Sequence, residues 1–343
     1  MIETLTSKTL AVRIVTTLAV LVMVMCICAL LGSHRISLTQ AFSGRHGIDG
    51  RNTDYEILVG VRLPRVCLAA LVGAALACCG VVLQAILRNP LADPYILGIS
   101  SGAGLGVIVA FLLGLSWTLC GVSGISVLAF LGAVTTVWLV WTVGRFAGKS
   151  HVMSLLLAGV VVNAFFSALI MFLISVAAAK HLRSTTLWLM GNIAETSWPV
   201  LAIASVCIIG GIIALFTATQ SLNVLTFGEH EARALGVDPA TVRLFAFACS
   251  AFITAVAVSL SGLIGFVGLI VPHSVRLTFG PDHRQLLPLS AIIGAGFLVI
   301  TDTLARTIIA PEQLPVGVIT AVAGGPFFLF LLARYTRKVG WLK

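Results

Sequence analysis

Polar and apolar positions do not alternate along this chain; they separate into blocks. Mostly apolar stretches free of Asp, Glu, Lys and Arg run at 14–33, 66–87, 94–144, 150–179, 196–228, 244–275, 285–301 and 313–333. A membrane-spanning helix needs about 20 apolar residues, so each block holds at least one span. A single helix over 94–144 would be roughly 75 Å long, more than twice the ~30 Å hydrocarbon thickness. Gly114, Gly121, Ser123 and Gly124 supply turn chemistry inside it, so it reads as a helical hairpin. The 244–275 block, roughly 48 Å as one helix, is interrupted by Gly262, Gly265, Gly268 and Pro272 and divides in the same way. Six undivided and two divided blocks predict about ten transmembrane helices in an all-α polytopic membrane protein, with residues 1–343 as one transmembrane domain. Continuously apolar segments also exclude a transmembrane β-barrel, whose strands alternate.

Composition sharpens this picture. The chain is 59% hydrophobic and 10% charged, against about 25% charged for a soluble domain, and its 33 glycines suit helices that approach closely. An even number of spans puts both termini on one side. With that side cytoplasmic, Lys8, Arg13, Arg88, Arg145, Lys149, Arg233, Arg243, Arg276, Arg284, Arg334, Arg337, Lys338 and Lys343 are inside. Arg35, Arg45, Arg51, Arg62, Arg65, Lys180, Arg183 and Arg306 are then outside, a basic excess that asks for an anionic partner or ligand. The net charge of +9 is a formal sum met equally by membrane lipid and gives no support for nucleic acid. The first block, behind Lys8 and Arg13, is long enough to be a retained helix rather than a cleaved signal peptide.

The candidate chemistry is sparse. Cys26, Cys28, Cys67, Cys78, Cys79, Cys120, Cys207 and Cys249 lie in or at the ends of apolar blocks without metal-site spacing, so they read as core packing and no metal is expected. Gly144-Arg-Phe-Ala-Gly148-Lys149-Ser150 has three residues between its glycines where a phosphate-binding loop needs four, and no strand precedes it. Any ATP must therefore be hydrolysed by another subunit. In Asn89-Pro-Leu-Ala-Asp93-Pro94, Asp93 can N-cap a helix that starts with Pro94. The glycines of 98–106 that follow serve either helix packing or a polar wall. The 228–239 segment, Gly228-Glu-His-Glu-Ala-Arg-Ala-Leu-Gly236-Val-Asp238-Pro239, predicts about two helical turns with acids near the N-terminal end, a glycine stop and a capped restart. Such a short rigid helix is suited to receiving force from a partner; the alternative is an ordinary interhelical loop. His273 invites a proton relay, but the acid nearest to an embedded one, Asp302, has Arg306 four residues on and reads as its structural partner.

Arg62-Leu-Pro-Arg65, the 84–98 run, Leu155-Leu-Leu-Ala-Gly159, 228–236, Gly265-Phe-Val-Gly-Leu-Ile-Val-Pro-His273, 302–306, Leu314-Pro-Val-Gly317 and Gly325-Pro-Phe-Phe328 occur together in one order. In this the chain resembles the FecCD-type permeases of type II ATP-binding cassette (ABC) importers, which bring iron-siderophores, haem and cobalamin into bacteria. The resemblance implies a multi-pass permease of the inner membrane, paired with a second copy or a paralogue. It also implies two cytoplasmic ABC ATPases that carry the ATP and Mg, and a periplasmic or lipoprotein substrate-binding protein. By that likeness Gly228, Glu229, Glu231, Ala232, Arg233, Leu235 and Gly236 form the ATPase-coupling helix, and Arg62, Arg65 and Arg306 meet acidic residues of the binding protein. Asn89, Leu91, Val152, Met153 and Ser154 then fall at the cytoplasmic gate. No cofactor or catalytic residue is implied for this chain. The competing class is a proton-coupled secondary transporter without an ATPase, disfavoured by the shortage of embedded carboxylates. A membrane-embedded enzyme would need a catalytic motif such as H-E-x-x-H, which the sequence lacks.

Overall fold

The structure is a computed structural model that describes residues 6–32, 34, 36–42, 52–119, 121–146, 151–177, 179–194 and 196–339. Helices α1 (Ser7–Leu30), α2 (Leu38–Phe42) and α3 (Thr53–Tyr55) come first, and α3 continues through a π-helical stretch (Glu56–Arg62) into α4 (Leu63–Ile86). A 3-10 turn (Pro94–Leu97) leads to α5 (Ile99–Leu112), and a two-residue antiparallel pair joins it to α6 (Gly124–Phe146). Then follow α7 (His151–Val176), α8 (Ala179–Leu189), α9 (Trp198–Thr217), α10 (Thr219–Leu225), α11 (Glu229–Ala234), α12 (Pro239–Ser261), α13 (Val267–Phe279), α14 (His283–Thr307) and α15 (Val316–Val339). Each of the ten apolar segments read from the sequence is helical. Among the described residues, seven helices are long and apolar enough to cross a membrane, and the shorter Ile99–Leu112, Val267–Phe279 and Val316–Phe330 occupy the other three places. Both divided blocks break at their glycines: Gly114 and Gly121 turn with positive φ in the first, and Gly262 ends α12 in the second.

Two features escape the block pattern. The second span starts at Thr53, not at Val66, and runs unbroken to Ile86, because its embedded arginines are satisfied inside the bundle rather than ending the helix. The eleven-residue α8 is missed because it is amphipathic, with Lys180 and Arg183 among its residues.

Helix α4 is the hub, buried along most of its length and packed on α14, α12, α13 and α9. Glycine permits the closest crossings. A Cβ on Gly73 would lie 2.2 Å from the Gly294 carbonyl oxygen, and one on Gly80 would lie 2.1 Å from that of Gly268. In lipid, where apolar burial supplies little drive, such backbone contact is what associates helices. The same holds for part of the 98–106 series: Gly102 and Gly106 sit against Gly132 and Leu128 of α6, so at these positions the packing reading is the one realised. By contrast α1 turns Val15, Val20, Val22 and Met23 outward, a surface that suits hydrocarbon.

Candidate functional site

The charged 228–239 segment forms the helix its sequence predicts. Gly228 caps α11 at φ 143°, where a side chain would collide with the Glu231 carboxylate folded over it. Gly236 stops the helix at φ 78°, and Asp238 accepts from the Ala240 and Thr241 amides to start α12. Only Ala232 of α11 is buried. Glu229 ties the segment down through an ion pair to Arg243 of α12, with Arg233 3.8 Å away, and the hydrogen bond from Arg243 holds its carboxyl below the usual range. Glu231, Arg233 and Gly236 face outward, and beside them stand Phe227, 74% exposed, and Leu235, 65% exposed. Two large apolar side chains framing a tethered charged helix make a surface ready for a protein partner. Phe227 and Arg243 were not among the sequence candidates, since fourteen residues separate Arg243 from Glu229 and helical spacing cannot pair them.

Behind this surface the segment is bound to the two most central helices. Arg88, just past α4, donates from Nη2 to the Leu225 carbonyl at 3.1 Å. Asn223 of α10 donates from Nδ2 to Asp282 Oδ1 at 2.7 Å and accepts from the His283 amide at 2.9 Å at the start of α14. Arg276 reaches Gln84 Oε1 at 3.0 Å, and Gln84 donates to the Gly268 carbonyl at 3.0 Å, so α4 and α13 are cross-linked near the same end.

The turn that follows α4 is stiff, as expected. Asn89 Oδ1 accepts from the Leu91 amide at 2.9 Å, and Asp93 caps Pro94–Leu97 by accepting from the Tyr95 amide at 2.9 Å. Leu91 and Met153 are exposed, and Asn89 and Ser154 half-buried; the side chain of Val152 lies outside the described residues, as do Gly148 to Ser150, Arg35, Arg45, Arg51, Cys120 and Lys343. The side chains of Lys180, Arg334, Arg337 and Lys338 lie outside them too. Among the described residues, Pro94–Leu97, which follows the first gate stretch, packs on α7, which carries the second. Beneath the turn a cavity of ≈ 420 Å³ is walled by Asp93, Met190, Phe266, Leu269 and Val318. Burial pushes the Asp93 carboxyl up to about 6, against the hydrogen bond from Tyr95.

At the opposite end lie the three arginines expected to meet the binding protein. Arg62, Arg65 and Arg306 do come together, but they are only 5%, 5% and 8% exposed. Arg65 forks onto Asp302 with bonds of 2.9 to 3.2 Å and gives its last nitrogen to Gln313 at 2.9 Å. Arg306 pairs with Asp302 at 3.3 Å, as its spacing predicts, and donates to the Cys28 carbonyl at 3.0 Å. Arg62 caps the end of α1 through the carbonyls of Ala29, Leu30 and His34. These guanidinium groups therefore fasten α1, α4 and α14 together, because an unpaired charge at that depth would be too costly. Cys78 and Cys79 are fully buried core groups, while Cys26 is exposed on α1.

Comparison with known proteins agrees with this arrangement. The FecCD transport family matches residues 20–334. An uncharacterised ABC transporter permease, YvrB of Bacillus subtilis, is 42% identical over 304 residues, 88% of this chain and 86% of its own. The hemin transport permease HmuU of Yersinia pestis is 39% identical over 319 residues, 92% and 95% of the two chains. The cobalamin import permease BtuC of Halobacterium salinarum is 43% identical over 278 residues, 81% and 73%. Among solved structures, a metal-chelate type ABC transporter in an inward-facing conformation superposes with a TM-score of 0.80 at 34% identity, covering 92% of this chain and 98% of that one. The chain belongs to the FecCD transport family and is a multi-pass ABC permease.

Proposed function

We propose that this chain is the membrane-spanning subunit of an importer in the bacterial inner membrane, passing a ferric siderophore, haem or cobalamin from a binding protein to the cytoplasm. The observation that carries the reading is the 228–236 segment: a capped helix, anchored through Glu229 and Arg243, that presents Phe227, Glu231, Arg233 and Leu235 outward. A separate ABC ATPase dimer seated there supplies the work. ATP binding favours one arrangement of that dimer, the paired permeases follow, and their pathway opens alternately to the two sides. The permease does no covalent chemistry; it contributes two packings of different stability. Asn89, Leu91, Val152, Met153 and Ser154 are assigned to the cytoplasmic gate by family likeness. Named relatives that handle hemin and cobalamin support the cargo class. The proton-coupled reading loses its best relay residue, because Asp302 is already shared by two arginines.

The test is co-purification of the tagged permease with its cognate ATPase. Glu231→Ala/Arg233→Ala should weaken that association, or leave hydrolysis running without uptake, in a permease that still folds. Unchanged affinity together with unchanged uptake would remove the coupling assignment. Mass spectrometry of ligand carried by the cognate binding protein would name the cargo.

A further inference from the structure

Resting on the importer reading, we propose that Asn223 is a positioning residue that transmits movement of the coupling segment to α14. Helix α10, which carries it, buries Thr219, Leu222 and Leu225 against the bundle and ends four residues before α11. The Asn223 side chain uses both ends of its amide. Its Nδ2 donates to Asp282 Oδ1 at 2.7 Å, while its Oδ1 accepts from the His283 amide at 2.9 Å and lies 2.7 Å from His283 Nδ1. The His283 amide is among the first N–H groups of α14, which have no acceptor within the helix. Asp282 is the N-cap of that helix, accepting from the Arg284 amide at 3.0 Å. Asn223 therefore acts as a second cap supplied from a different helix, and α14 cannot start in this geometry unless α10 stays in place.

The consequence lies in what α14 touches. It packs along α4 at the Gly73–Gly294 crossing and carries Asp302 at its other end, paired with Arg65 of α4. A displacement at α11 thus reaches the α4–α14 pair as one body through a donor and an acceptor on one side chain. The companion tie from Arg88 is a single bond to the Leu225 carbonyl, which any residue at 225 would supply. Coupling of this kind requires an element that both sites bias, and α14 is such an element.

The experiment uses the assembled complex in proteoliposomes, with loaded binding protein, and reads ATP hydrolysed per cargo molecule delivered alongside ATPase association. Asn223→Ala should raise that ratio roughly three-fold or more with association retained, since the outward face of α11 is untouched. Asn223→Asp, which sets two carboxylates together, should be worse. Adding Asp282→Asn to Asn223→Asp restores one donor opposite one acceptor and should recover much of the coupling, which a merely structural loss would not do. An unchanged ratio in Asn223→Ala, or no recovery in the double variant, overturns the proposal. If the wild-type complex shows no ATP-dependent uptake at all, the importer reading fails and takes the clamp with it.

Discussion

At one end of α14, Asp302 is 1% exposed between Arg65 and Arg306. At the other end Asp282 divides its carboxylate among the helix N-terminus, Asn223 and an Arg284 that is 47% exposed. Both aspartates serve one helix, yet the first is sealed between two arginines and the second, 23% exposed, also meets solvent. Removing a member of a dry pair strands the others, whereas water can replace a lost partner at the surface. The Asp302 end is held by a dry ion-pair cluster and the Asp282 end by a water-accessible clamp, next to the segment assigned to the ATPase.

The largest expected effect follows from that contrast. Asp302→Ala leaves two buried guanidinium groups unpaired and should destabilise the permease by roughly 3–5 kcal/mol, seen as a lower melting temperature in detergent or as loss of folded protein. Asp282→Ala removes a cap and should cost only about 1 kcal/mol; equal losses at the two ends would erase the distinction.

Acid titration sharpens it further. Burial raises the Asp282 carboxyl, but bonds from Arg284 and Asn223 outweigh this and hold it at about 2, below an unfolded value of about 3.9. A depressed carboxyl stabilises above its unfolded pKa and loses that contribution as pH falls through the folded one. The stability gap between wild type and Asp282→Asn should therefore be constant from neutral pH down to about 5 and close between about 4 and 2. The smallest effect concerns salt. Raising NaCl to about 1 M shortens the Debye length to about 3 Å and should weaken the half-exposed Arg284–Asp282 pair by a few tenths of a kcal/mol, leaving the Asp302 cluster unmoved. Thermal melts of the single variants at both salt levels check this.

Much of the molecule was legible beforehand, and the limits have physical causes. Charge-free blocks marked ten helical segments because lipid demands continuous apolar stretches, and the turns at Gly114, Gly121 and Gly262 obeyed local rules. Caps at Asp93 and Asp238 and the Asp302–Arg306 pair were readable because each depends on residues close in sequence. The start of the second span was misplaced since Arg62 and Arg65 read as a boundary, while their partners lie on α1 and α14. Arg65–Asp302 spans 237 residues, Arg88–Leu225 137, and Asn223–Asp282 59. Helical periodicity holds no information on such pairs.

The central claim is that an ATPase outside this chain drives import. It is tested most directly by cargo uptake into proteoliposomes holding the permease pair, with ATP and with a proton gradient supplied separately. The account predicts uptake only when the ATPase, ATP and loaded binding protein are all present, unchanged when the gradient is collapsed. Uptake by the permease alone, driven by the gradient without ATP, would contradict it.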